Sequence, residues 1–300
     1  MDMTQNKCCR HGANLRRKRR RHRKIRHSVI FLCSSIAVIV FVAVGSSMIR
    51  SGDGRTNRYD VEAGNNTYDN AVIENSKISG KNKIQNNQSM LDDIMNSTQY
   101  PKQLKDLALK NEEALEFVYD YPAEHVKEHT IDLTEEASMD SVPLFVQWDK
   151  RWGYEKYSGN FFAASGCGPT TLSMVVVYLT HNRDASPIAV AKYSKEAGYS
   201  VDGSGSSWTL ISEGCRHYGV KAKAVALDES RMKAELDEGH PIVVNVGPGD
   251  FTDTGHFMVI TGYDDEGFSI NDPNSIEKSG KRWLFRNISS QIRAVWSMYV

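Results

Sequence analysis

The chain has 300 residues, enough for one or two domains of ordinary size. Its 37 basic and 37 acidic residues cancel, but eleven of the basic ones lie in residues 1–27, which contain a single acid, Asp2. The rest carries 26 basic and 36 acidic residues, a net charge of −10 with histidine neutral, which argues against a nucleic-acid-binding protein.

An uncharged apolar span, residues 28–49, follows the basic segment. A helix of this length rises roughly 30 Å, enough to cross the hydrocarbon core of a bilayer. We therefore predict one transmembrane helix, with the basic residues 1–27 in the cytoplasm beside anionic lipid and the rest of the chain outside the cell. The alternative is a secretory signal cleaved near Ala43-Val44-Gly45, which would release a secreted protein, but both segments are long for a signal peptide.

Composition changes twice after the apolar span. Residues 50–100 are rich in Asn and Ser and poor in large apolar side chains, which predicts a disordered tether that cannot bury enough surface to fold. Residues 101–140 form a predicted helical lead-in, with an amphipathic helix ending near Tyr121-Pro122. The spacing that indicates it is that of Leu104, Leu107, Ala108, Ala114, Leu115 and Val118. The lead-in could act as a lid or as a brace for the domain that follows.

Residues 141–300 first show helical and then strand patterns, which predict an α+β domain with an antiparallel sheet. A turn at residues 264–267 makes strands 256–264 and 267–272 a hairpin, so that His256 and Asp272 lie side by side. The predicted helices are 169–180, 186–197, 206–218 and 229–237, and the other predicted strands are 220–227, 241–247 and 294–299.

Cys167 stands between Gly166 and Gly168, just before Pro169. Proline is favoured at the first position of a helix, so the sulfur of Cys167 is predicted to lie at the positive end of the helix dipole. A helix N-terminus and a nearby imidazolium both lower the pKa of a thiol, which yields a thiolate at neutral pH. Such a thiolate can attack a carbonyl carbon, so Cys167 is a candidate nucleophile.

His256 and Asp272 are candidate partners of this thiol. His256 would form the ion pair and later protonate the leaving amine, while Asp272, or its neighbour Asn271, would orient the ring. Adjacent residues of a strand face opposite ways, and we favour Asp272. Gln147 could donate its side-chain amide to an oxyanion, together with the backbone N–H of Cys167.

At these residues the chain resembles the papain-like cysteine peptidases related to the bacterial bacteriocin-processing enzymes that cut after double-glycine leaders. The resemblance covers roughly residues 100–300 with the preceding helix. It implies a papain-like fold, with the peptidase domain over residues 141–300, Cys167 as nucleophile, His256 as base and Asp272 as third member. It is closer to stand-alone members than to transporter-fused ones, since Gln147 lies far from Cys167 and no transporter segment is expected after the domain. The matching runs are Gln147-Trp148-Asp149-Lys150-Arg151-Trp152, Gly166-Cys167-Gly168-Pro169-Thr170, Gly255-His256-Phe257-Met258-Val259-Ile260-Thr261-Gly262-Tyr263 and Asn271-Asp272-Pro273-Asn274.

These observations predict a single-pass, membrane-anchored cysteine peptidase that hydrolyses a peptide or protein substrate outside the cell. We expect no cofactor and no metal, because no Cys/His spacing suits zinc and no glycine-rich phosphate loop is present. Two alternatives keep the same fold: a silent module that binds peptide or cell wall, and a cysteine acyl or peptidyl transferase. A third alternative concerns the thiol alone, since Cys167 and Cys215 could form a structural disulfide outside the cell.

Overall fold

The computed structural model describes residues 83–300 of the chain. The predicted cytoplasmic segment, the predicted transmembrane helix and most of the predicted tether lie outside the described residues. Among the helices of residues 83–300, none has the length and apolar character to cross a membrane.

Helices form most of the structure before the large sheet. Cys167, the candidate nucleophile, begins helix α7 (Cys167–Thr180), in which Leu172 and residues 174–177 are fully buried. This helix lies between a second helix, α8, and the sheet, which is why its sequence has almost no polar face. The helices are α1 (residues 83–96), α2 (Lys102–Lys110), α3 (Leu115–Tyr119), α4 (Tyr121–Glu124), α5 (Thr134–Ser138), α6 (Phe162–Ser165), α7 (Cys167–Thr180), α8 (Pro187–Glu196), α9 (Thr209–Ser212), α10 (Glu229–Asp237), α11 (Ile276–Ser279) and α12 (Phe285–Ile288), with 3-10 turns at Glu112–Ala114, Gly214–Tyr218 and Ser289–Gln291.

A six-stranded antiparallel sheet follows, in the order β5-β10-β6-β7-β8-β9, and two small hairpins, β1-β2 and β3-β4, precede it. The predicted α+β class is therefore confirmed. The strands are β1 (Lys156–Tyr157), β2 (Asn160–Phe161), β3 (Ser200–Val201), β4 (Gly205–Ser206), β5 (Lys221–Ala224), β6 (Ile242–Val246), β7 (His256–Asp264), β8 (Gly267–Asn271), β9 (Arg282–Trp283) and β10 (Ile292–Tyr299).

The core of the fold covers both faces of this sheet. On one face, Val243 and Val259 pack with the apolar side chains of α7 and α8. On the other face, Ile242 and Val244 pack with Met232 of α10. Because successive strand residues point to opposite faces and both faces are covered, every residue of β6 is buried.

The lead-in has an apolar cluster of its own. Leu104, Ala114 and Val118 are fully buried there, and they pack with Phe161 and Ala163, which come just before α7. Through these contacts the lead-in packs as a brace against the segment that leads into Cys167.

Three sequence predictions differ from the structure. The sequence predicts a tether that reaches residue 100, but residues 83–96 form helix α1, whose Ile94 is fully buried. The single helix ending near Tyr121 is interrupted at Asn111, which is extended (φ −136°, ψ 99°). The helix over residues 206–218 is wrong, because Gly205–Ser206 pair with β3 and a short α-helix and a 3-10 turn follow.

The β7-β8 hairpin is confirmed, with Asp264 opposite Gly267 across the turn. Gly267 has φ +133°, and a Cβ there would lie 2.6 Å from the backbone oxygen of Trp283. Only glycine suits this turn, because both the conformation and the close backbone exclude a side chain. The hairpin sets the register that carries His256 and Asp272 to one end of the sheet.

Candidate active site

Cys167 is the first residue of α7 and is partly exposed, whereas the residues behind it are buried. The flanking glycines are required by close packing. A Cβ on Gly166 would lie 2.6 Å from the ring of Phe162, and a Cβ on Gly168 would lie 2.5 Å from Oγ of Ser206. The motif thus places the thiol at a tightly packed helix N-terminus, where the backbone N–H groups have no partner within the helix.

His256 is the first residue of β7 and only 6 % of its surface is exposed. Strand and helix are tied together by Thr171, whose hydroxyl donates to the carbonyl of Phe257 at 3.0 Å. Asn245 of β6 donates its side-chain amide to the carbonyl of His256 at 3.2 Å. These bonds fix the start of β7 against α7, and the side chains of Cys167 and His256 are close enough to shift each other's pKa.

Asp272 follows directly after β8 and is fully buried. Nε2–H of His256 donates to its Oδ1 at 2.6 Å, which leaves Nδ1 for the thiol. Asn271 faces the other way, since its amide donates to the carbonyls of Val142 and Pro143 at 3.1 and 3.0 Å. Of the two candidates for the third residue, the structure therefore brings Asp272 against the ring.

Charge within the three-residue cluster shifts two pKa values in opposite directions. Burial opposes ionisation of Cys167, but the hydrogen bond and charge of His256, with backbone hydrogen bonds from Phe257 and Gly168, outweigh it and lower the thiol pKa. Burial also opposes the charged form of His256, but the adjacent Asp272 carboxylate and Cys167 outweigh it and raise the ring pKa. Both shifts favour a thiolate–imidazolium pair at neutral pH.

Gln147 is buried beside this cluster. Its backbone N–H donates to the carbonyl of Pro273 at 2.7 Å, and its side-chain Nε2 donates to the carbonyl of Ala163 at 2.7 Å. Its Oε1 is buried without a hydrogen-bond partner in the described structure. The predicted oxyanion donor thus already uses one side-chain amide hydrogen to bind the segment before α7, while its backbone N–H binds the loop after Asp272.

The alternative of a disulfide between the two cysteines is not what the structure contains. Cys167 and Cys215 are both free thiols. Cys215 is fully buried in the core, and burial raises its pKa to about 11, whereas the pKa of Cys167 is lowered.

Two supporting residues, Thr171 and Asn245, were not identified from the sequence. Both carry a signal that is visible in retrospect. Thr171 lies four residues after Cys167 and therefore on the same face of α7. Asn245 is the one polar residue in the buried strand β6, and a buried amide needs a partner.

The Peptidase_C39 like family model matches residues 139–300. Among solved structures, the peptidase domain of Streptococcus ComA, a bi-functional ABC transporter involved in a quorum sensing pathway, is 19% identical with a TM-score of 0.38, and 53% of this chain covers 96% of that chain. A putative C39-like peptidase from Bacillus anthracis is 16% identical with a TM-score of 0.34, and 53% of this chain covers 95% of it.

No curated protein matches the chain. The family model, however, spans more than half of the 300 residues and includes Cys167, His256 and Asp272. The protein therefore belongs to the Peptidase_C39 like family, the group of papain-like cysteine peptidases that its motifs resemble.

Proposed function

We propose that the protein is a cysteine peptidase that hydrolyses peptide bonds through Cys167, His256 and Asp272. The observation that carries the proposal is the 2.6 Å hydrogen bond from the ring of His256 to a fully buried carboxylate, together with the lowering of the Cys167 thiol pKa by that same ring. A carboxylate is costly to bury unless a positive charge compensates it, and His256 is its ion-pair partner. That arrangement favours the imidazolium and, through it, the thiolate.

Acylation follows from this geometry. The thiolate of Cys167 attacks the carbonyl carbon of the peptide bond, and the tetrahedral intermediate carries the negative charge on the former carbonyl oxygen. The backbone N–H of Cys167 and the second amide hydrogen of Gln147 are the donors proposed for this oxyanion. His256 then gives its proton to the leaving nitrogen, the C–N bond breaks, and a thioester with Cys167 and a free amine result.

Deacylation uses the same residues in the opposite sense. His256, now neutral, takes a proton from water as the water oxygen attacks the thioester carbon. Collapse of the second intermediate releases a carboxylic acid and restores the thiolate–imidazolium pair. Asp272 keeps Nε2 protonated throughout, so Nδ1 is the nitrogen that gives and receives the proton.

The setting proposed for this activity comes from the N-terminal sequence. Residues 28–49 are apolar and uncharged, and residues 1–27 are strongly basic, which together support a single-pass anchor with the peptidase domain outside the cell. The substrate would then be a peptide or protein on that side of the membrane. The alternative is secretion after cleavage near residue 45. The mass of the mature protein distinguishes the two, because cleavage removes the N-terminal segment.

Thiol labelling tests the activated cysteine before any substrate is known. The full-length chain is alkylated near pH 6, where an ordinary thiol is mostly protonated, and the labelled positions are mapped by mass spectrometry. We expect rapid labelling at Cys167 but not at Cys215, and loss of the rapid labelling in His256→Ala. His125→Ala is the matched control, because His125 is exposed and packs on Tyr121, outside the cluster.

Turnover and product masses complete the test. Cys167→Ala should abolish cleavage of a peptide library with the fold intact, and the products should carry water rather than an added amine. Products that incorporate the amine would replace hydrolysis by transfer. Slow labelling of Cys167, equal in wild type and His256→Ala, would contradict the proposal and favour a binding module.

A further inference from the structure

The loop that carries Asp272 is held from outside by the lead-in. Oδ1 of Asp272, besides accepting from His256, accepts the backbone N–H of Asn274 at 2.8 Å. The orientation of the carboxylate therefore depends on where Asn274 lies.

Asn274 is fixed by Asn111 of the lead-in. The side-chain amide of Asn111 donates to the backbone carbonyl of Asn274 at 2.9 Å and to its side-chain oxygen at 3.1 Å. Asn111 is nearly buried, and its extended backbone interrupts the helix between α2 and the following 3-10 turn. The interruption that the sequence did not predict thus turns this amide toward the loop.

Glu113 accepts hydrogen bonds from the next three residues of the same segment, which are Ser275 and the first two residues of α11. One carboxylate oxygen accepts the hydroxyl of Ser275, and the other accepts the backbone N–H groups of Ile276 at 2.7 Å and Glu277 at 3.1 Å. Hydrogen bonds to an ionised acceptor are stronger than neutral ones. The backbone N–H of Glu113 also donates to the side chain of Asn111 at 3.0 Å, so the two residues act as one unit.

We propose that Asn111 and Glu113 are positioning residues of the active site, which hold the loop 272–277 so that Asp272 stays against His256. The inference rests on the proposed function, because it concerns the residue that orients the catalytic ring. Both residues precede position 139, where the family match begins. The catalytic unit of this chain therefore includes a part of the lead-in that the family region does not supply.

Removing the carboxylate of Glu113 tests this role. In Glu113→Ala the three donors of the loop lose their acceptor, Asp272 loses its support, and its charge acts less on His256. The ring pKa should fall and the thiol pKa should rise. We expect the alkylation rate of Cys167 near pH 6 in the full-length chain to drop about threefold or more, which corresponds to about half a pKa unit.

Glu112→Ala is the matched control. Glu112 is the neighbouring acid on the same turn, and its carboxylate accepts from Asn87, away from the loop. This variant removes the same charge and should label at the wild-type rate across pH 5 to 10. Glu113→Gln keeps one acceptor oxygen and should recover part of the rate, whereas Asn111→Ala should reproduce the defect of Glu113→Ala.

The outcomes separate this proposal from the one it rests on. Fast labelling in wild type that is unchanged in Glu113→Ala, or a loss of thermal stability without a shifted pH profile, would overturn the positioning role and leave the peptidase proposal intact. Slow labelling in wild type itself would overturn the peptidase proposal. An equal drop in Glu112→Ala would also overturn the positioning role, because a general charge effect would then explain the result.

Discussion

Asp272→Asn isolates the charge that faces the ring of His256. Asparagine has the same shape, and its side-chain oxygen can still accept Nε2–H of His256, so the variant removes the charge and keeps the bond. In the wild type the two atoms are 2.6 Å apart and Asp272 is fully buried. The expected effect is therefore electrostatic.

The magnitude follows from the geometry of the pair. Two unit charges centred about 4 Å apart interact by about 4 kcal/mol at an effective dielectric constant near 20, which would be about 3 pKa units. Observed shifts from one opposite charge are about 1 to 3 units. We expect the pKa of His256 to fall by about 1 to 3 units in Asp272→Asn. Because the ring then carries less charge, the thiol pKa of Cys167 should rise.

The assay follows both groups directly. Ring-labelled histidine gives the titration midpoint of His256 by NMR, with His256→Ala to assign the signal, and the ultraviolet absorbance of the thiolate gives that of Cys167. The ion pair exists between the two midpoints, so its pH window should narrow from both sides. Since the two groups titrate as a pair, the midpoints belong to the coupled system.

Stability gives an independent check of the sign. The pKa of His256 in the folded protein lies above its unfolded value, so its contribution to the free energy of unfolding is fully present below about pH 6.5 and is lost as the pH rises through the folded pKa. In Asp272→Asn a smaller contribution should be lost at lower pH. Identical midpoints for His256 in wild type and variant would refute the reasoning, because the carboxylate would then not set the ring pKa.

Three further predictions concern packing in the core and the hydrogen bond between α7 and β7. Gly168→Ala should destabilise the fold by about 1–3 kcal/mol through contact with Ser206, and the added change Ser206→Gly should restore part of the midpoint of urea unfolding. Leu104→Ala should cost about 2–5 kcal/mol by the same assay, whereas Leu109→Ala on the same helix should cost almost nothing, because Leu104 is fully buried and Leu109 is 57% exposed. Thr171→Val should slow Cys167 alkylation at pH 6, because the strand carbonyl that accepts its hydroxyl loses its partner; a wild-type rate would show that this bond does not hold the pair together.

Sequence patterns predicted the elements whose causes are local. Helix α10 has the predicted bounds, since Asp228 caps its first turn by accepting from the N–H of Arg231, and Gly239 follows its end with φ +82°. Strand β8 also begins at the predicted Gly267, and it ends at Asn271, one residue before the predicted end. These signals lie within a few residues of the element that they delimit.

The predictions that were wrong concern segments whose conformation is set by residues distant in the sequence. Asn111 leaves the helical conformation because its amide is bonded to Asn274, 163 residues away. Residues 205–206 form a strand because Ser206 packs against Gly168 and bonds to the hydroxyl of Tyr157 at 2.6 Å. Helix propensity over a short window is too weak to compete with such contacts.

The candidate site shows the same division. The glycines around Cys167 and the hairpin between His256 and Asp272 leave a trace in the sequence, and the structure brings these three residues together. The hydrogen bond that the side-chain amide of Gln147 donates to the carbonyl of Ala163 leaves no trace in the sequence. The hydrogen bonds that Glu113 accepts from the loop leave no trace either. Nothing in the sequence around this acidic residue indicates a partner 162 residues away.

The strand order has a consequence for how the protein acquires its activity. β10 is the last strand of the large sheet along the chain, yet it lies between β5 and β6. β6, β7 and β8 can pair in turn as they leave the ribosome, but β5 joins them only through β10. Pairing over such long sequence separations is slow, because the loop entropy is lost before the contacts form.

A partly synthesised chain would therefore hold Cys167 and His256 without β10, the strand that joins β5 to the rest of the sheet. β10 leaves the ribosome last of the six strands, so the sheet that carries His256 is completed only by its final strand.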